Sequence, residues 1–226
     1  MPPSTTKLRP PKPAKVTPLP QYPEIILSLN LLRTNPVAFH WLLFIPNPGA
    51  TRAVVTEGMK LHAVDNGQKG TAREWSYDFA SFTLATSASV AVAMVLGKLP
   101  SGKTVQDLDA LLQKIPMTVP AADTARESEF TCRVWVREAV RRMHAEGYIV
   151  CPDVDALEEE AWKYGREAAR KVDDDTFELA TLVYAQTSRA VQCVEFGARG
   201  GRTQRAVCLE TGRTGESRCK RVRYIM

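Results

Sequence analysis

The chain has 226 residues, of which 44% are hydrophobic and 24% charged, and its formal net charge is +5. That length suits one core domain with extensions, at a prior of about 150 residues per domain. No apolar run approaches the ~20 residues that span a bilayer and no apolar signal core opens the chain, so membrane and secretory classes are excluded and a cytoplasmic location is expected.

The basic charge sits at the ends. Residues 1–24 carry four basic and one acidic side chain, residues 197–226 carry eight and two, and the stretch between is left with 18 and 22. Such ends either hold a polyanion without reading its sequence or simply stay solvated. Five cysteines, at positions 132, 151, 193, 208 and 219, form no C-x-x-C pair and leave one over. Neither a zinc site nor a closed disulfide framework is suggested, and no metal or cofactor is expected.

In chain order, residues 1–23 are rich in proline and poor in large apolar side chains, which predicts a disordered leader. The single catalytic domain is expected over 24–196. Residues 25–31 form a short aliphatic strand and residues 40–45 a second, closed by Pro46-Asn47-Pro48-Gly49. Residues 52–56, 61–64 and 75–82 continue the strand pattern, which gives an antiparallel sheet. Thr104 with Asp107 three residues on reads as a capped helix start, followed by a helical stripe from Val105 to Ile115.

The clearest helix begins at Cys132, because Cys132, Trp135, Val136, Ala139, Val140 and Met143 share one face. A charged helix follows over 154–172 and a further helical segment over 176–190. Residues 197–226 have no period and are expected to form a basic, disordered tail. The fold class expected is α+β, an antiparallel sheet packed by helices.

Two of the three histidines, His40 and His62, lie in apolar strand-like runs where imidazole has no packing advantage over Leu or Val. The third, His144, lies on a charged helix face. A cysteine at a helix N-terminus is a place where backbone N–H groups and a nearby imidazolium lower a thiol's pKa, to roughly 3.5–7.5 in known cases, and where those N–H groups can hold an oxyanion. Cys132 as nucleophile, His40 as base and His62 as orienter therefore form a coherent thiol site, with Asp65 and Asn66 as rival third members. The bland alternatives are a space-filling Cys132 and hydrogen-bonded core histidines.

The blocks His40-Trp41-Leu42-Leu43-Phe44, Leu61-His62-Ala63-Val64 and Thr131-Cys132-Arg133-Val134-Trp135-Val136 resemble those of the permuted papain-like superfamily. That group includes lecithin:retinol acyltransferase-like enzymes and bacterial cell-wall endopeptidases. The resemblance covers about residues 38–147 and implies the same three roles for His40, His62 and Cys132. It departs at Thr131, where the acyltransferase branch commonly has Asn. A narrower likeness, to fungal arginine-containing cyclodipeptide synthases, implies transfer of an aminoacyl group from aminoacyl-tRNA to an amine, in secondary metabolite biosynthesis.

Arg133 and Arg137, on a ladder that continues to Arg141, together with Trp135 and Trp41, are the expected substrate-binding residues, unless the arginines pair internally with Glu138 or Glu158. Residues 97–104 match the G-x-x-x-x-G-K-T phosphate-loop pattern, with a plain turn and helix cap as the competing reading. The expectation is a cysteine-dependent acyl transferase that forms an amide bond, using aminoacyl-tRNA or a small acyl donor. A thiol amidohydrolase or peptidase and a phosphate-loop nucleotide binder are the alternatives.

Overall fold

A computed structural model describes residues 14–49, 57–67 and 73–191. Its frame is a seven-stranded sheet in the order β1-β8-β6-β2-β3-β4-β5. These strands are β1 (Val16–Thr17), β2 (Glu24–Thr34), β3 (Val37–Pro46), β4 (Glu57–Asp65), β5 (Trp75–Thr83) and β6 (Val90–Lys98), with β8 (Ala180–Tyr184) arriving late in the chain. The helices are α1 (Val105–Leu112), α2 (Cys132–Ala145) and α3 (Val154–Asp173). A separate two-stranded sheet joins β7 (Ile149–Val150) to β9 (Arg189–Ala190).

The strands form because aliphatic residues fill both sides of the sheet. From β2, Ile25, Leu27 and Leu29 enter the core under the helices, while Ile26 joins Leu42, Phe44, Ala93 and Val95 on the other face. Period-two alternation into two apolar layers is what a sheet covered on both sides requires. On the first face, α2 packs against β3 and β4, and α3 against β2 and β6. On the second, Val16 and Leu84 close over the strands, and the N–H of Lys15 donates to the Ala85 carbonyl at 2.5 Å.

Gly165 of α3 sits where an added Cβ would lie 2.9 Å from the Phe39 ring, so α3 approaches β3 at a distance only glycine permits. Thr104 caps α1 and Thr131 caps α2, each side chain accepting a backbone N–H three residues on. Gly147, at φ +70°, follows the end of α2.

Three expectations change. The sheet is mixed rather than antiparallel, because β8 runs parallel to both β6 and β1. Residues 176–190 hold no helix. Asp175 turns the chain at φ +56°, after which Ala180 and Leu182 point inward while Thr181 faces solvent, the alternation of a strand. Residues 14–23 belong to the fold rather than to a leader, since Val16 is buried and pairs with Ala180. The expected strand at 52–56 and the expected tail at 197–226 lie outside the described residues.

Candidate functional site

The two strand histidines meet where β3 and β4 part. The two strands pair only from Leu43 with Leu61 to Pro46 with Gly58. Beyond that, β3 stays with β2 and β4 stays with β5. His40 is in register with Asn30 and Leu42 with Ser28, and Ser28 donates to Asn30 at 2.7 Å along the same face. His40 therefore leaves the sheet on the face opposite Trp41 and Leu43.

His40 Nε2 lies 2.6 Å from His62 Nδ1, with the rings edge-to-face at 4.8 Å between centroids. His62 Nε2 lies 2.9 Å from Asp78 Oδ2. Asp78 stands directly opposite His62 in the β4–β5 ladder. The same carboxylate oxygen takes an ion pair from Lys60 Nζ at 3.1 Å.

The electrostatics follow from this packing. Burial, then the positive potentials of His62 and Lys60, push His40 down to about 4. Burial also lowers His62, against the opposing pull of Asp78. Burial raises the Asp78 carboxyl, but the bonds from His62 and Lys60 outweigh it and hold Asp78 below its ordinary value. At neutral pH the site is thus two neutral imidazoles in line with an ionised carboxylate.

Cys132 begins α2, and the backbone N–H groups of Trp41, the residue after His40, of Arg133 and of Cys132 itself lie near its sulfur and favour its thiolate form. The sulfur thus reaches β3 from the helix-covered face with Trp41 and Leu43, whereas the His40 and His62 rings lie on the opposite face. Among the described residues no hydrogen bond joins Sγ to either ring. Burial pushes the thiol up despite the three N–H groups, which corrects the expectation of a lowered thiol pKa.

The four expected substrate-binding residues are placed elsewhere. Arg137 is 4% exposed and bonds Asp123, Asp155 and Glu158, while Arg133 bonds Glu127 and Glu158. Both are spent on internal carboxylates. Trp135 is fully buried against Tyr77, its indole N–H without a partner among the described residues, and Trp41 packs edge-on to Trp162. They are core residues. Asp65 and Asn66 tie the β4–β5 connection, accepting from Gly67 and donating to Ser76, and take no part at the imidazoles.

The phosphate-loop reading is also corrected. Gly97 lies inside β6, and Thr104 and Asp107 exchange both bonds of a capping box, which places a carboxylate where a phosphate would sit. Lys103 rests over the Tyr148 ring at 5.6 Å. Among the described residues no group of three or more His, Cys, Asp or Glu is set to hold a metal ion, and no helix is long and apolar enough to cross a membrane.

Residues 28–189, a span that includes His40, His62, Asp78 and Cys132, match the model of a family of unknown function. No curated protein and no solved structure matches the chain. The chain belongs to that family, DUF6914.

Proposed function

We propose that this protein is a cysteine-dependent acyl transferase in which Cys132 is the nucleophile, His40 the base and His62 the orienter. What supports the reading is the direct His40–His62 bond on one face of β3 and β4 and, on the other, the N–H groups around the Cys132 sulfur at the start of α2. At rest the thiol and the imidazole are both neutral and unbonded to each other, so in this reading the proton moves as the sulfur attacks. The reading requires that the Cys132 thiol and the His40 ring, set on opposite faces of β3, come together when substrate binds.

In the first half-reaction the sulfur bonds the acyl carbon of an ester, His40 takes the thiol proton, and the C–O bond breaks with that proton passing to the leaving alcohol. The helix N–H groups stabilise the oxyanion. In the second, an amine attacks the thioester, the amide forms, and the sulfur leaves as thiolate to be reprotonated. Cys132 is 9% and His62 4% exposed. So closed a site favours an acceptor delivered by binding over bulk water, and so transfer over hydrolysis. An aminoacyl ester on transfer RNA is the specific donor proposed, on the charge of residues 197–226; a small activated ester is the general one.

Incubation with p-nitrophenyl acetate followed by intact and peptide mass spectrometry tests the nucleophile. One acetyl group is expected on Cys132, discharged by hydroxylamine and missing in Cys132→Ala. Equal acetylation of Cys151, or an adduct unchanged in Cys132→Ala, overturns the assignment. Metabolite profiles of a host expressing the wild type beside Cys132→Ala then test the donor: a cyclic dipeptide made only by the wild type is the expected product.

A further inference from the structure

We infer that Asp78, held by Lys60, is a positioning residue that fixes the proton arrangement of both imidazoles and leaves Nδ1 of His40 as the relay's unprotonated nitrogen. The use of that nitrogen as a base rests on the acyl-transfer reading above; the proton arrangement itself does not.

The chain of hydrogen bonds runs inward from the edge of the sheet. Asp78 lies on β5, and its Oδ2 receives both Lys60 Nζ at 3.1 Å and His62 Nε2 at 2.9 Å. An ionised carboxylate only accepts, so the proton of that second bond belongs to His62 Nε2. A neutral imidazole carries one N–H, which leaves His62 Nδ1 as an acceptor. The 2.6 Å contact to His40 then requires the proton to sit on His40 Nε2. His40 is neutral as well, so its remaining nitrogen, Nδ1, is a lone pair.

One charge at the sheet edge thereby sets the tautomer two rings away, as carboxylates do for imidazoles in other relays. Lys60 has two effects here. It keeps Asp78 ionised, and its positive charge disfavours protonation of His40. Both effects keep the lone pair in place. Nothing in the chain order announces this arrangement, since Asp78 is separated from His62 by 16 positions.

Nitrogen-15 NMR of the imidazoles in the full chain at neutral pH tests the inference, with His40→Gln and His62→Gln assigning the signals. Each ring is expected to carry its proton on Nε2, and in Asp78→Ala the two rings should become tautomer mixtures. Iodoacetamide labelling of Cys132 should slow at least about tenfold in the same variant. A wild-type spectrum with either proton on Nδ1 overturns the inference whatever becomes of the variants. So do tautomers unchanged in Asp78→Ala or, should that variant unfold, a Lys60→Met spectrum showing His62 protonated on Nδ1. Expected tautomers with an inert Cys132 defeat only the acyl-transfer reading. A reactive Cys132 with tautomers indifferent to Asp78 defeats only the present one.

Discussion

His40 enters the folded state neutral and pays for that on acidification. Its folded pKa, about 4, lies below the ordinary 6.5, so between those values the unfolded chain binds a proton that the native site refuses. Stability therefore falls as pH drops from about 6.5 toward about 4, by up to about 3 kcal/mol from this residue alone. Urea denaturation at pH 7 and pH 5 measures the loss, and His40→Gln should flatten the slope over that window. His40 and His62 were legible as candidates because imidazole stands out in aliphatic runs. Asp78 was not, because its pairing with His62 depends on how the chain passes between β4 and β5, which spacing alone does not reveal. The Arg133, Arg137 and Trp135 assignments failed for a related reason: helical spacing gives a shared face but not the neighbour that face meets.

Elements test differently, through their ends and close approaches. Thr104→Ala should cost about 1 kcal/mol by removing the α1 cap, and calorimetric titration with ATP should show no binding before or after. Gly58 is the sharper case. A Cβ there would lie 2.2 Å from the Ile45 carbonyl oxygen and 2.5 Å from the Phe44 ring. Gly58→Ala should cost about 2 kcal/mol or more, read from the denaturation midpoint, since a backbone oxygen in a ladder cannot step aside. At this scale most of the structure was readable, because β2 to β5 carry strand patterning, α1 a helical stripe with a cap, α2 one apolar face and α3 a charged helical run. Residues 176–190 misled because their segment is short, and the strand they form is fixed by partners far away in sequence, which local pattern does not encode. The antiparallel sheet was half right for that same reason, since only the hairpin-linked strands β2 to β5 have neighbours close along the chain.

Across the whole molecule, a buried ion cluster ties α2 to α3 and to the connection before α2. Arg137 meets Asp123, which is 0% exposed, and Glu158, at 6%. Arg137→Ala should cost about 3 kcal/mol, because it takes the shared guanidinium from two buried carboxylates and leaves Asp123 only Arg141 and Glu158 chiefly Arg133, whereas the more exposed Arg126→Ala should cost under about 1 kcal/mol. Thermal unfolding of the two variants side by side separates these outcomes. The pairing of Val16 with Ala180 bears on biosynthesis. A ribosome delivers β1 some 160 residues before its partner β8, so the nascent chain carries an open sheet margin while everything between them is made. A chain cut short ahead of Ala180 would leave β1 without its partner and the β8 side of β6 open, a substrate for chaperones or proteases rather than a smaller working protein.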